Sequence, residues 1–183
     1  FTYDGARHFS PGSLGGGHVI SLYSLSKAYG MASWRVGFLV APEHLHRDLM
    51  KIQDTVVVSG SAISQFVGLR AMREGRGYCA SHLPSLARVR GELLARLSVL
   101  PDLVEVPPAT GAFYLFAKVN TEMSAIALAE RLVREHKVAV IPGETFGATR
   151  GCWLRIAYGS LREETVVEGI DRLIMGVRAI LAP

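Results

Sequence analysis

Short, β-rich apolar runs alternate along this chain with longer stretches in which apolar residues recur every three to four positions. The run at 18–23 (HVISLY) follows a turn-forming stretch at 10–17 (SPGSLGGG) and predicts a strand. A second such run, at 36–41 (VGFLVA), stops at Pro42. From Glu43 to about Arg73 the spacing is helical, with a break near Ser59-Gly60-Ser61. Gly75 and Gly77 then punctuate the chain and set the expected domain boundary, residues 1–75 against 76–183. A long helix is predicted from about Ser81 to Leu100, with Pro84 tolerable only in its first turn. Strands follow at 103–106, 112–119, 138–141 and 152–158, expected to share one sheet, with helices at about 123–136 and 161–181. The last helix is the best marked. Ser160 and Glu163 make a capping-box pair, and Val166, Ile170, Leu173, Ile174, Val177 and Leu181 share one face. Strands interleaved with helices predict α/β layers, without repeats or low-complexity segments.

With 183 residues and 49% apolar content the chain can bury a core of one domain or one and a half. The net charge is +4, but the 20 basic residues are dispersed, which argues against a nucleic-acid-binding stripe. No apolar run reaches membrane-spanning length, so no membrane partner is expected. Cys79 and Cys152 lie far apart and neither sits in a CxxC pair. A disulfide framework or a metal site is therefore not expected, and a reducing compartment, the cytoplasm, is. The chain begins at Phe1 without an initiator methionine, and its opening FTYDG reads like the middle of a domain.

The chemistry-bearing residues concentrate behind the first predicted strand. Ser24-Leu25-Ser26-Lys27 follows it directly, and Arg35 lies eight residues beyond the lysine. Taken bare, Lys27 reads as a solvated surface lysine. At the end of a buried strand and among small hydroxyls it would instead be desolvated. Desolvation lowers a lysine's pKa and frees the neutral amine for a Schiff base. A hydroxyl three residues before it and a guanidinium eight after it could both reach one phosphate dianion, and arginine's planar fork suits that contact. The same letters at Ser24 and Lys27 fit the S-x-x-K of serine β-lactamases, but the K-T-G and S-D-N or Y-x-N elements that family needs are absent.

The stretch SLSKAYGMASWRVGF resembles the cofactor-lysine signature of class I/II aminotransferases, S-[FL]-S-K-x-x-x-[ML]-x-G-W-R-x-G. Ser24, Ser26, Lys27, Met31, Trp34, Arg35 and Gly37 match it in register. One position departs: the glycine before the tryptophan is Ser33 here. If that position needs a positive φ the serine is strained, and if not the change is harmless. The resemblance implies an α/β protein comprising the end of the large domain of a fold-type I, pyridoxal-phosphate (PLP) enzyme, followed by the small carboxy-terminal domain. It implies pyridoxal 5'-phosphate as cofactor, with Lys27 as the lysine that binds it and Ser24, Ser26 and Arg35 around it. Relatives carry further cofactor contacts upstream: a ring stacked on the cofactor, an Asn and a Tyr on its phenolic oxygen, and an Asp on its pyridine nitrogen. By that register Phe1 begins a few residues after them, and apolar surface is expected on the first segment.

A second site emerges at CWLRIAYG, residues 152–159, where Arg155 falls mid-strand on the side of Trp153 and Ala157. By itself this fits an edge strand with the arginine in solvent or paired to a carboxylate such as Glu144. In aminotransferases an arginine in a late L-R-I-A strand binds the substrate α-carboxylate, and the resemblance gives Arg155 that role. Gly111-Ala112-Phe113-Tyr114 and the loop Pro142-Gly143-Glu144-Thr145-Phe146-Gly147 are similar to further family elements, which adds Gly111 and Phe146 as substrate-pocket residues. The expected reaction is amino-group transfer between an amino acid and a 2-oxo acid by a homodimer. The alternatives on the same resemblance are a carbon–sulfur lyase, an aminocyclopropane-carboxylate synthase-like enzyme, or the aminotransferase-like effector domain of a transcription regulator.

Overall fold

The computed structural model describes residues 1–159 and 163–181. They form two compact units, Arg7–His82 and a second made of Phe1–Ala6 with Leu83 onward. The expected division at 75/76 thus differs from the observed one in two ways. The units meet at 82/83, inside a helix, and the first six residues belong with the carboxy-terminal unit. Phe1–Ala6 joins that unit through main-chain bonds. Tyr3 N–H donates to the Thr110 carbonyl (2.8 Å) and Ala112 N–H to that of Phe1 (3.2 Å).

In the unit Arg7–His82, β1 (Ser21–Ser24) pairs antiparallel with β2 (Gly37–Val40), Ser24 facing Gly37. Gly37 is required by that pairing, since a Cβ there would lie 2.5 Å from the Tyr23 carbonyl oxygen. The helical spacing after Pro42 resolves into α1 (His46–Val56) and α2 (Ala62–Glu74), interrupted near Ser59–Ser61 as the sequence predicts. Leu25, Met31 and Gly68 are buried here. Gly68 of α2 lets the helix approach Leu25 and Val36 closely. The apolar surface expected on this segment is present: Leu22, Val56, Ile63 and Phe66 are exposed.

The helix α3 (Arg76–Leu97) begins earlier than predicted, so Pro84 lies inside it and not in its first turn. Gly75 has φ +64° and ends α2, and α3 starts at the next residue. Gly77 is absorbed into the helix because its neighbours Tyr78 and Cys79 find tertiary partners that outweigh a glycine's modest helix cost.

In the other unit, β3 (Val104–Glu105), β4 (Tyr114–Val119), β5 (Ile141–Pro142) and β6 (Cys152–Ala157) form one antiparallel sheet in the order β3-β4-β6-β5. The expected single sheet is therefore found, with shorter strands. Period-two alternation buries Leu115, Ala117 and Val119 of β4 with Cys152 and Leu154 of β6 on one face. That face packs in one core with Val89, Leu93 and Leu97 of α3, Leu128 and Leu132 of α4 (Ala125–His136), and the apolar stripe of α5 (Glu163–Leu181). In that stripe Val166, Ile170, Leu173, Ile174 and Val177 are buried as predicted, while Leu181 is half-buried. Gly176 permits the close approach of α5 to α4, since a Cβ there would sit 2.6 Å from Leu132 Cδ2. Ser124 caps α4 by accepting from the Ala127 N–H at 3.2 Å. The proposed Ser160–Glu163 cap lies outside the described residues. No helix among the described residues is long and apolar enough to cross a membrane.

Candidate active site

The β1–β2 hairpin gathers Ser24, Ser26, Lys27 and Arg35 into one connection. The strands pair up to Ser24 and Gly37, and Leu25 N–H then donates to the Val36 carbonyl (3.3 Å), so the segments holding the lysine and the arginine leave the sheet side by side. Ser24 Oγ accepts from the Ser26 N–H at 3.2 Å, which leaves its own proton for another acceptor. Arg35 has φ +51°, a left-handed conformation costly for a side-chain-bearing residue, and its Nη1 donates to the Ala32 carbonyl at 2.9 Å. Ser33 lies in a 3-10 turn, Ala32–Trp34, and is not among the positive-φ residues. The departure from glycine there brings no backbone strain; the left-handed position of this turn is taken by Arg35.

Lys27 is exposed, as is most of β1, contrary to the expectation of a lysine desolvated at the end of a buried strand. The reason is topological: β1 and β2 form only a two-stranded sheet, with no further strand to flank them among the described residues. Two hydroxyls, a guanidinium and an amine in one connection are nonetheless a donor set suited to a phosphate beside a carbonyl carbon.

Arg155, in the unit completed by the carboxy-terminal residues, faces away from the core. In register it stands opposite Phe116 on β4 and Ile141 on β5. Its guanidinium lies 4.4 Å from the Tyr114 ring centre and 5.3 Å from that of Phe146. Phe116 stacks on Trp153 (5.1 Å) and meets Phe146 edge-on (6.3 Å). The arginine is thus half-buried on an aromatic surface, neither free in solvent nor paired with Glu144. Among the described residues no ion pair joins those two, and Arg155 Nε is buried without a hydrogen-bond partner. An unpaired buried donor costs about 1–3 kcal/mol. Glu144 turns instead to helix α4, where one carboxylate oxygen accepts from the Ala125 N–H at 3.2 Å and meets the positive end of the helix dipole. Cys152, on the opposite face of β6, is pushed up to about 11 from 9.0 by burial and then by the charge of Glu144, so its thiol stays protonated.

Sequence reasoning singled out Phe146 and Arg155, and the structure brings them together. Gly111 serves the Phe1–Ala6 segment, with Thr2 bridged to it and the Phe1 carbonyl 3.1 Å from where its Cβ would be. The sequence motif alone does not mark the Tyr114 ring as a partner of Arg155, nor the stacking of Phe116 on Trp153 beside it. The alternation of Tyr114 and Phe116 in one predicted strand, opposite Trp153 and Arg155 in another, is the signal that would have found them. Tyr158 carries no local sequence signal of its role. It is buried, its hydroxyl donates to the Ala112 carbonyl (3.3 Å), and burial followed by its contact with Tyr3 raises its pKa.

An antiparallel sheet backed by three helices, a lysine-bearing hairpin and a late-strand arginine together define an aminotransferase-type fold. Residues 6–173 match the family model for aminotransferase class I and II, and the chain belongs to that family. It is 32% identical to an aromatic aminotransferase of Arabidopsis thaliana, over 99% of this chain and 45% of that protein. It is also 32% identical to an aromatic-amino-acid aminotransferase of Thermococcus litoralis, over 94% of this chain and 45% of the relative. Among solved structures, an aromatic aminotransferase from Pyrococcus horikoshii superimposes with a TM-score of 0.86 at 28% identity, covering 98% of this chain and 48% of that one. An aspartate aminotransferase mutant of Thermus thermophilus gives 0.85 at 27%, covering 96% and 45%. The chain spans just under half the length of these relatives.

Proposed function

We propose that this chain is the carboxy-terminal part of an enzyme that moves an amino group between an amino acid and a 2-oxo acid with pyridoxal 5'-phosphate. The observation that carries this reading is the hairpin connection that unites Ser24, Ser26, Lys27 and Arg35 in a member of the aminotransferase family. When bound, the cofactor supplies an electron sink for charge at the substrate α-carbon. Lys27 would hold the cofactor's carbonyl carbon and, once displaced by the incoming amine, move the α-proton as general base. Ser24 and Arg35 would bind the phosphate, with Ser26 beside them at the cofactor. Arg155 would grip the substrate carboxylate with its fork, with the Phe146 ring beside it, and Gly111 would shape the strand start near the substrate.

In the same reading the unit Arg7–His82 is the trailing part of the large cofactor-binding domain and the other unit the small domain. The whole enzyme would work as a homodimer in the cytoplasm, a compartment that suits the free thiols of Cys79 and Cys152. The test is Lys27→Ala in the full-length protein. Activity and the visible absorbance of bound cofactor should vanish while circular dichroism and melting temperature hold. A borohydride-reducible lysine adduct in the variant would show that another lysine binds the cofactor.

A further inference from the structure

The turn that carries Lys27 is held from below by the first turn of α3. Cys79 Sγ donates to the Ala28 carbonyl at 3.0 Å. The Tyr29 hydroxyl donates to the Gly75 carbonyl at 3.4 Å, and its ring stacks on that of Tyr78, 6.0 Å between centres and 14° between planes. Gly30 has φ +64°, and the Tyr78 hydroxyl lies 3.3 Å from where its Cβ would be. Three successive residues after the lysine, Ala28, Tyr29 and Gly30, are therefore each met by a group between Gly75 and Cys79. Main-chain bonds close the same turn, with Gly30 N–H donating to the Lys27 carbonyl (3.2 Å) and Met31 N–H to that of Leu25 (3.3 Å).

This explains a choice that local preference does not. A helix that begins at Arg76, with Gly77 in its first turn and Pro84 further on, starts against both residues' preferences. The early start is what brings Tyr78 and Cys79 to the lysine turn. Lysine has a long, flexible stem, and an amine that must alternate between a covalent link and proton transfer depends on where its backbone is held.

We propose that Tyr78 and Cys79 are positioning residues for Lys27, acting through the Ala28-Tyr29-Gly30 turn. The proposal rests on the reading of Lys27 as the cofactor lysine, and its test includes a measurement that does not need the cofactor. In the full-length protein, Tyr78→Ala and Cys79→Val would each be compared with the conservative variants Tyr78→Phe and Cys79→Ser. The serine keeps a donor for the Ala28 carbonyl, and the phenylalanine keeps the stacked ring. Amide hydrogen exchange of residues 26–31 is followed in the cofactor-free protein, and the cofactor dissociation constant and the pH midpoint of its visible absorbance in the loaded one. For Tyr78→Ala and Cys79→Val the expected result is exchange roughly tenfold faster in this segment alone, cofactor dissociation several-fold weaker and a displaced midpoint, with Phe and Ser restoring most of each. Unchanged exchange at 26–31 in both disruptive variants overturns the proposal, as does a loss that is global rather than confined to the turn. Faster exchange with no change in any cofactor property leaves the clamp intact but overturns Lys27 as the residue it serves.

Discussion

Replacing Arg155 by lysine keeps one positive charge on β6 and removes the planar fork. In the structure the guanidinium lies over two rings, Tyr114 at 4.4 Å and Phe146 at 5.3 Å, and its Nε is buried without a partner. An ammonium would retain part of one ring contact and lose the other. At about 0.5–1 kcal/mol per contact for a half-buried cation, the stability change should be about 1 kcal/mol. The change in turnover should be larger. A carboxylate held by two parallel N–H donors is fixed in orientation, and a single ammonium leaves it free to swivel. Losing one side of such a buried pair costs about 2–5 kcal/mol in kcat/KM, roughly thirtyfold to a few thousandfold. Cofactor affinity should hardly move, because Arg155 has no part in the phosphate set. Steady-state kinetics of the full-length variant with an amino donor and a 2-oxo acid acceptor, beside a cofactor titration, measure both quantities. Near-wild-type kcat/KM with only a small shift in melting temperature would refute the carboxylate role and leave the arginine as a packing residue.

Gly37→Ala should weaken the site by its frame rather than its chemistry. The new Cβ would meet the Tyr23 carbonyl oxygen at 2.5 Å, backbone that cannot step aside, so the β1–β2 register must open beside Ser24. A loss of about 1–3 kcal/mol in stability, with weaker cofactor binding, is expected from chemical denaturation and titration; an unaltered midpoint would mean the hairpin is looser than described. For Cys152, a thiol held near 11 against an ordinary 9.0 favours the protonated folded state. That stability is fully present below pH 9 and is lost as pH rises towards 11, a decline on the order of 2 kcal/mol. Tyr158, also raised by burial, adds in the same direction at higher pH. Denaturation between pH 8 and 11 should show a shallower decline in Cys152→Ala than in the parent, and parallel curves would remove the thiol from the account.

Local pattern sufficed where one residue type leaves the chain few options. The α5 stripe from Val166 to Val177 is buried because apolar residues at helical spacing have one way to leave water together. The alternation in β4 and β6 likewise decides which face of the sheet is core and sets Arg155 on the other. The break between α1 and α2, and the placement of Ser24, Ser26, Lys27 and Arg35 on one connection, were also legible, because turn residues and a spaced motif are local features. Whatever depends on a partner distant in sequence was not. Glu144 reads as a mate for Arg155 only until the fold offers it the amino end of α4, and Arg155 finds its own contacts in rings that two other segments supply. Pro84 reads as a first-turn residue until Tyr78 and Cys79, anchored on the lysine turn, draw α3 forward. The division of the chain shows the same limit. Gly75 and Gly77 look like punctuation, yet α3 runs through the boundary, and Phe1–Ala6 crosses to the unit whose strands begin a hundred residues later. Sequence determines what each segment prefers, since preference is set by neighbours a few bonds away; tertiary structure decides which preferences prevail, since contacts between distant segments outweigh the fraction of a kilocalorie by which one local form usually beats another.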